Sequence, residues 1–384
     1  MKQFRIFHTN DIHSYFETYP KLATFFHNQH ENIPTRLIDI GDNMDRFHPI
    51  TEATNGKINT EMLNKLGYDY VTFGNNEGIT LDYIALSKLY DTATFQVLTA
   101  NLYEKDKKRP NWLSPYVLEN INGMKVGFIG VTVYYKLFYD LLGWHIIDPF
   151  EAIEICLQEM KEADVIIVLS HLGITDDEQL ARRFPEIDVI LGGHTHHILP
   201  EGKRVGNTLL CGAGKHGAYV GEVIVTKEEK QIIKTCLLHS LRNLEPNNEL
   251  EQEINDAYIL AKKSLSEPIA NISTTLKSNW FAHSPIASLL AEALREWCKA
   301  DIGMVNNGVM LNELEAGIVT AEQLHRICPH PINPCKVEIT GEELREIVVE
   351  ANKEEHEQIL IKGLGFRGEV MGKMAYSNLE IIQE

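Results

Sequence analysis

The sequence places histidine, aspartate and asparagine side chains directly after apolar segments, where strands would end. Two imidazoles two residues apart follow the apolar run at 189–191, and four upstream segments end in similar side chains. This mixture of imidazole, carboxylate and amide suits Mn²⁺, Zn²⁺ or Fe, whereas Ca²⁺ prefers more oxygens and structural Zn²⁺ more sulfur. The number of candidates fits two metal sites that share one carboxylate. The candidate ligands are Asp11, His13, Asp42, Asn75, His171, His194 and His196.

Strands and helices alternate around these side chains. Apolar segments predict strands at 3–10, 36–43, 70–73, 95–100, 125–131, 164–169 and 189–192, and helical spacing predicts helices at 22–30, 60–66 and 149–161. Asn122-Gly123 predicts a hairpin, and two further strands are expected around 227–230. Such alternation predicts an α/β fold of mixed sheets layered with helices, in which ligands gather beyond the strand ends.

A polar, charged segment divides the chain into two predicted domains. Residues 244–268 are predicted to be an interdomain helix, because the helix-prone stretch 249–263 lies between two prolines. The first domain is predicted at 1–243 and the second at 269–384. In the second domain the sequence predicts a helix along 287–297, strands at 302–305 and 336–339, and a helix beginning at Thr340, which has capping-box spacing to Glu343.

Composition excludes several classes of partner. The 384 residues carry a net charge of −18, with 54 acidic and 36 basic side chains, and show no basic run. Duplex nucleic acid is therefore not an expected partner, and an anionic substrate would need a bound cation to reverse the local field. We expect no membrane partner, because no apolar segment is long enough to span a bilayer. The six scattered cysteines and the lack of a leader predict a cytoplasmic location, while the oligomeric state stays open.

Five motifs carry a resemblance to a known family. In order they are Asp11-x-His13, Gly41-Asp42-Asn43, Gly74-Asn75-x-Glu77, Ser170-His171-Leu172-Gly173 and Gly193-His194-Thr195-His196. They resemble the motifs of the calcineurin-like metallophosphoesterases, specifically the 5′-nucleotidase and UDP-sugar hydrolase family, and the Asn-Asn-Glu form is similar to a cytoplasmic bacterial type. The second half resembles the family's smaller α+β, substrate-binding C-terminal domain. The chain ends at Glu384, so we expect that domain to be shortened.

The resemblance implies a two-metal phosphohydrolase that cleaves phosphate esters or pyrophosphates of nucleotides, with the substrate between the domains. Asp11, His13 and His196 would hold one metal, and Asn75, His171 and His194 the other. Asp42 would bridge them and count as catalytic. The two metals would activate a hydroxide for in-line attack on phosphorus.

Two departures from the family pattern concern the chemistry. Asn76 stands where the family has a catalytic histidine, and Ile79 where that histidine's aspartate partner belongs. Loss of one such donor costs on the order of 10²- to 10³-fold in rate. We therefore expect Asn76 to act as a neutral hydrogen-bond donor, with slow turnover, a preference for good leaving groups such as pyrophosphates, or help from His197 or His216.

Four residues of the second domain are predicted to bind substrate. Asn307 and Gly308 match the family's Asn-Gly turn, although the arginine that follows it in the family is missing. His330 lies where the family stacks a phenylalanine on the base, and Arg367 is a further cation.

Three alternatives remain open at the level of sequence. Asn76 and Ile79 would also suit a nucleotide-binding regulatory protein that keeps a metal site with little catalysis. A 2′,3′-cyclic nucleotide phosphodiesterase is the second alternative. A nuclease of the same superfamily is the third, and the acidic balance disfavours it.

Overall fold

The chain forms two compact units, Met1–Tyr258 and Ile259–Glu384. The computed structural model describes residues 2–29, 32–229, 231–363 and 365–381. The division falls within a helix, Asn248–Leu265, which lies inside the segment 244–268 that was predicted to be an interdomain helix. The limits of the domains predicted from the sequence stay a prediction.

The strands of the first unit belong mainly to two sheets. They are β1 (Lys2–Thr9), β2 (Thr35–Asp39), β3 (Tyr70–Val71), β4 (Gln96–Leu98), β5 (Leu102–Glu104), β6 (Leu113–Ser114), β7 (Tyr116–Ile121), β8 (Met124–Thr132), β9 (Trp144–Ile146), β10 (Val165–His171), β11 (Val189–Gly192), β12 (Lys203–Val205), β13 (Thr208–Cys211), β14 (Tyr219–Glu228) and β15 (Gln231–Ser240). Among the described residues one sheet has the order β15-β14-β1-β2-β3-β4-β6 and the other β12-β13-β11-β10-β8-β7.

Both sheets are mixed, with parallel strands at their centres. β1, β2, β3 and β4 run parallel, and β14 pairs with β1 antiparallel. In the second sheet β8, β10, β11 and β13 run parallel. The carboxyl ends of parallel strands share one edge of a sheet, so the loops after β1, β2, β3, β10 and β11 can build one site.

Apolar side chains from both sheets pack against each other to form the core of a sandwich. Phe4 and Ile6 of β1 meet Val126 and Phe128 of β8 and Ile167 of β10 in one fully buried cluster. Burial on this scale is the main source of the stability that keeps the strand ends in place.

Helices cover the outer faces of the sandwich. In the first unit they are α1 (Tyr19–His27), α2 (Pro49–Thr54), α3 (Lys57–Leu66), α4 (Asn75–Thr80), α5 (Tyr83–Leu89), α6 (Lys136–Leu142), α7 (Pro149–Glu159), α8 (Ile174–Arg183) and α9 (Asn248–Leu265), which continues into the second unit; Phe16–Thr18 is a 3₁₀ turn. Ile153 of α7 and Leu180 of α8 pack against Val168 and Ile190 of the second sheet. Within the described residues no helix has the length and apolarity needed to cross a bilayer.

The second unit is a smaller α+β arrangement around its own core. Its elements are β16 (Pro268–Ile272), α10 (Pro285–Cys298), β17 (Gly303–Asn306), the 3₁₀ turn Asn307–Val309, β18 (Gly317–Thr320), α11 (Ala321–Ile327), α12 (Gly341–Ala351), α13 (Glu354–Glu357) and β19 (Met374–Ser377). Ile286 and Ala291 of α10 pack with Val309, Val319 and Ile327. The α/β class and the two-part organisation predicted from the sequence are confirmed.

Local differences from the prediction have physical reasons. The strand predicted at 336–339 is absent: this stretch is irregular and exposed, with no neighbouring strand to pair with. After the strand predicted at 70–73, the helix α4 begins at Asn75, because the Glu77 carboxylate accepts the backbone N–H of Gly74 at 2.9 Å and caps the helix. Of the predicted helix at 22–30 and the predicted strands around 227–230, His30 and Lys230 lie outside the described residues.

Candidate metal centre

The candidate ligands lie on loops whose backbone is held in the left-handed region. Asp11, His13, Asp42, His194 and His196 have φ values of 53°, 51°, 48°, 70° and 56°, which non-glycine residues rarely adopt. Backbone bonds hold two of these loops together, since the N–H groups of Asp11 and His13 donate to the carbonyls of Gly41 and Asp42, each at 2.9 Å. Strain of this kind persists where the surrounding structure fixes a functional geometry.

Three of the seven candidates form one group around the carboxylate of Asp11. Nε2 of His196 lies 3.3 Å from Oδ1 of Asp11, and Nε2 of His13 lies 3.8 Å from the same oxygen. The two imidazole Nε2 atoms are 3.2 Å apart. All three side chains can therefore offer an atom to one ion.

A second group consists of Asp42, His171 and His194, and Asp42 lies between the groups. Oδ1 of Asp42 is 3.5 Å from Nε2 of His171, while its Oδ2 is 3.9 Å from Nε2 of His13. A carboxylate that faces both groups with different oxygens has the arrangement expected of a bridging ligand.

The second group passes a test for a bound metal ion. Nε2 of His171 and Oδ1 of Asn75 are buried and have no hydrogen-bond partner among the described residues. Burying such polar atoms unpaired is costly, so a ligand for them is expected. Gly74 leaves the necessary room, because a Cβ there would lie 2.2 Å from Oδ1 of Asp42 and 2.4 Å from Nε2 of His171. The donor set fits a divalent cation.

Hydrogen bonding prepares His171 for this role. Its Nδ1 donates to the carbonyl of Ile40 at 2.7 Å, which leaves Nε2 to face Asp42. Burial opposes a charge on His171, but the Asp42 carboxylate outweighs it and raises the pKa of His171 to about 10. Burial likewise opposes ionisation of Asp42, and His171 nevertheless holds the pKa of Asp42 well below its usual range.

His194 differs from His171 in its charge. Burial and the neighbouring charge of His171 lower the pKa of His194 to about 4, so its imidazole is neutral near pH 7. A neutral imidazole has the lone pair that a metal ligand requires.

Glu77 braces the site, although sequence reasoning did not single it out as a site residue. Its buried carboxylate accepts backbone N–H bonds from Asp42 at 3.0 Å, Met44 at 3.0 Å and Gly74 at 2.9 Å. Burial, followed by the charge of Asp42, raises the pKa of Glu77 to about 7. Glu77 thereby fixes the loop of Asp42 relative to the start of α4. Its position three residues after Gly74 is the signal that could have predicted this.

Asn76 lies within the centre, but its amide is engaged with the protein. Its Nδ2 contacts Nδ1 of His13 at 2.8 Å and donates to the carbonyl of Met44 at 3.1 Å. Its backbone N–H donates to Oδ1 of Asp42 at 2.7 Å. Asn76 therefore contacts a candidate ligand through its side chain and the candidate bridge through its backbone.

Tyr135 is a site residue that the sequence patterns did not indicate. Its hydroxyl lies 3.3 Å from Nε2 of His194, just before α6 begins. Of the two histidines proposed as helpers, His216 has its ring 6.0 Å from that of His13, whereas the exposed His197 contacts Thr195 at 2.9 Å. His216 is therefore next to the centre, and the side chain of His197 contacts its own loop.

The four predicted substrate-binding residues lie together in the second unit. Nδ2 of Asn307 donates to the carbonyls of Asn279 at 3.0 Å and Ala282 at 2.9 Å. At Gly308 a Cβ would lie 1.9 Å from the carbonyl oxygen of Val370, so close backbone packing requires glycine there. In this structure both residues hold loops together, and their contact with substrate stays a prediction.

His330 is buried and bonded through both ring nitrogens. Its Nε2 donates to the carbonyl of Val309 at 2.7 Å, and Nδ1 accepts from the backbone N–H of Arg367 at 2.8 Å. Phe366 stacks on the ring at 5.0 Å with an interplanar angle of 5°. One face of His330 is therefore covered, and base stacking by His330 stays a prediction.

Two contiguous groups of histidine and aspartate at the strand ends of an α/β sandwich are the arrangement expected of a metal-dependent hydrolase. Residues 4–197 match the calcineurin-like phosphoesterase family, and residues 263–374 match the 5′-nucleotidase C-terminal domain. The chain thus belongs to the calcineurin-like phosphoesterase family, whose members use divalent metal ions, and is a metal-dependent phosphoric ester hydrolase. The resemblance predicted from the five motifs is confirmed.

Similar proteins agree with this assignment. The metallophosphoesterase YunD of Bacillus subtilis is 46% identical over 391 residues, which cover 99% of this chain and 85% of YunD. Snake venom 5′-nucleotidase of Gloydius brevicauda is 24% identical, over 71% of this chain and 54% of that protein. Among solved structures, a putative 5′-nucleotidase from Staphylococcus aureus aligns with a TM-score of 0.71 at 18% identity. The alignment covers 97% of this chain and 82% of the Staphylococcus aureus chain. That structural similarity shows the fold.

Proposed function

We propose that the protein hydrolyses phosphate esters or pyrophosphates of nucleotides with two divalent ions. Asp11, His13 and His196 would hold one ion and Asn75, His171 and His194 the other, with Asp42 between them. The observation that carries this proposal is that the two oxygens of Asp42 face His171 and His13 at 3.5 and 3.9 Å. The nucleotide substrate is supported by the 5′-nucleotidase C-terminal domain.

The residues of the chain would divide the work of catalysis. Bound divalent ions would activate a water and neutralise phosphate charge. Glu77 keeps the Asp42 loop in place, because three backbone N–H groups converge on its carboxylate. Asn76 orients His13, and Tyr135 orients His194, each through one hydrogen bond to an imidazole nitrogen. Manganese, zinc and iron all fit these donors. The location of the protein in the cytoplasm stays a prediction.

The experiment is a panel of substrates with metal-loaded protein. In the presence of Mn²⁺, phosphate release is measured directly from nucleoside monophosphates. For UDP-sugars and 2′,3′-cyclic nucleotides it is measured after an added phosphatase has dephosphorylated the product. We expect turnover of at least one class, and its loss in Asp42→Asn but not in Asp91→Asn, an exposed control. Absence of turnover across the whole panel would refute the proposal.

A second candidate is a nucleotide-binding regulatory protein with little catalysis. It is favoured by the engagement of the Asn76 amide with His13 and Met44, which leaves the position of the family's catalytic histidine without a proton donor. Tight binding of a nucleotide by metal-loaded protein that turns over none of the panel would support this candidate.

A further inference from the structure

A cleft of about 580 Å³ opens beside the candidate metal centre, within the first unit. His196, a candidate metal ligand, lines one end of it, and the loop at 214–217 forms one wall. The rest of the lining comes from the segment between Tyr15 and Lys21, from Ile198, from Ala218 and Tyr219, and from residues 240–242. A substrate whose phosphorus lies at the metals could therefore extend into this cleft.

The loop at 214–217 is fixed to the metal centre itself. The backbone N–H of His216 donates to the carbonyl of Asp11 at 2.8 Å, and its carbonyl accepts the hydroxyl of Thr18 at 2.8 Å. Asn10 donates through Nδ2 to the carbonyl of Gly214 at 2.6 Å and to Oδ2 of Asp11 at 2.7 Å. The wall is thus preorganised, which reduces the entropy lost when a ligand binds.

An aromatic pair forms part of the cleft next to the metal centre. The rings of Tyr15 and His216 stack at 4.7 Å with an interplanar angle of 8°. Tyr15 is 44% exposed, so part of its ring remains open to a ligand. A flat apolar group of the substrate can pack there.

Positive charge gathers in this cleft although the chain as a whole is acidic. Lys21, Lys215 and Arg242 line it, and Glu17 is the acidic side chain in the lining. None of the three cations forms a salt bridge with any residue in the described part of the chain; Lys21 donates through Nζ to the carbonyl of Arg242 at 3.5 Å. In a protein with a net charge of −18 this is a local reversal of sign, and clefts focus such fields.

We propose that this cleft binds a part of the substrate that extends from the reacting phosphate within the first unit, and that it favours substrates that carry a second anionic group there. The inference rests on the proposed function, because the reacting phosphorus must lie at the metals. The ligand class is a phosphate ester with a flat group next to the ester and a further phosphate or carboxylate beyond it. The flat group packs against Tyr15, and the second anion lies near Lys215 and Arg242.

The test compares two ligands that differ by one carboxylate. Calorimetry measures the binding of benzylphosphonate and 4-carboxybenzylphosphonate to the Mn²⁺-loaded protein, and neither ligand contains a hydrolysable ester. We expect the carboxylated ligand to bind about two- to fivefold more tightly for each cation engaged, and this preference to shrink as NaCl screens the charges. The double variant Lys215→Ala, Arg242→Ala should lose the preference. The double variant Lys105→Ala, Arg182→Ala removes the same charge from exposed sites elsewhere and should keep it.

A kinetic comparison separates this inference from the proposed function. The kcat/KM ratio of 4-carboxyphenyl phosphate to phenyl phosphate should exceed one in the wild type and approach one in the Lys215, Arg242 double variant. If neither ester nor any nucleotide is hydrolysed, the proposed function fails while the phosphonate comparison still decides the inference. Equal binding of the two phosphonates by the wild type, or a preference unchanged by the double variant, would overturn it.

Discussion

The side-chain amide of Asn76 lies 2.8 Å from Nδ1 of His13, on the side of the imidazole away from the Nε2 atom that faces Asp11. The residue that stands in place of the family's catalytic histidine therefore contacts a candidate metal ligand. Partners of this kind fix the orientation of a ligating histidine. Because an amide N–H that donates to Nδ1 leaves the proton of a neutral His13 on Nε2, metal binding through Nε2 requires the amide to turn and accept Nδ1–H with its oxygen. Asn76 consequently has a positioning role that a simple loss of catalysis would not explain.

Removal of this amide should weaken metal binding. We expect Asn76→Ala to lower the affinity for Mn²⁺ by roughly 10- to 100-fold, because His13 loses its outer partner. Titration calorimetry with metal-free protein measures the change. Asn243→Ala, at an exposed asparagine, is the matched control. An unchanged affinity in Asn76→Ala would show that His13 is oriented by other contacts.

Rebuilding the family's dyad should accelerate turnover. Residues 76 and 79 lie three positions apart on α4, so His and Asp side chains placed there would share one face of the helix. We expect Asn76→His, Ile79→Asp to raise kcat by about 10²-fold through a restored donor. The single change Ile79→Asp serves as the control. A double variant no faster than the wild type would exclude the dyad as the missing part.

The two histidine groups should lose metal separately. Inductively coupled plasma mass spectrometry of purified protein should show about two divalent ions per chain in the wild type. We expect about one in His196→Ala, from the Asp11 group, and about one in His171→Ala, from the Asp42 group. His27→Ala, at an exposed histidine, should keep both. If His171→Ala and His196→Ala each lost both ions, the centre would bind its metals as one cooperative unit.

Tyr135 should tune only the second group. Burial, followed by the charge of Asp42, raises the pKa of Tyr135, so its hydroxyl stays protonated and able to bond Nε2 of His194. We expect Tyr135→Phe to lower the affinity of the metal site at Asp42, His171 and His194 by on the order of tenfold and leave the other site unchanged. Tyr134→Phe, at the adjacent exposed tyrosine, is the control. Equal effects of the two substitutions would show that Tyr135 does not contribute to metal binding.

The sequence predicted that the candidate ligands would lie close together, because each stands at the end of an apolar strand and parallel strands end at a common edge of their sheet. Asp11 and His171 are two examples, placed by β1 and β10 respectively. That inference requires only local patterns and one rule of topology. Glu77 and Tyr135 depend instead on contacts made in three dimensions.

Glu77 and Tyr135 show that local sequence patterns do not predict contacts between residues far apart in the chain. Glu77 receives N–H bonds from Asp42 and Met44, which lie more than thirty positions away in the chain. Tyr135 lies 59 residues before His194 and belongs to no metal-binding spacing. The strand predicted at 336–339 is wrong for the opposite reason: its local pattern suits a strand, but no strand among the described residues pairs with it.

Asp177 should make the stability of the protein depend on pH. Its buried carboxyl accepts the hydroxyl of Ser170 at 2.5 Å, and burial raises the pKa of Asp177 from 3.8 to about 8. Between these two pKa values the folded protein keeps a proton that the unfolded chain has lost. The free energy of unfolding therefore falls as pH rises through this window, by up to about 1.4 kcal/mol per pH unit.

An asparagine at this position retains the shape of the protonated carboxyl and cannot ionise. We expect Asp177→Asn to gain stability relative to the wild type as pH rises from 5 to 8, because only in the wild type must folding take up a proton, which costs more free energy as pH rises. Thermal unfolding of both proteins in EDTA, which removes metal linkage, measures the difference, with Asp91→Asn as an exposed control. A gap between Asp177→Asn and wild type that stays constant across this range would mean that Asp177 is ionised in the fold. The helix α8 would then hold a buried charge against β11, where a Cβ at Gly192 would lie only 2.5 Å from Oδ2 of Asp177.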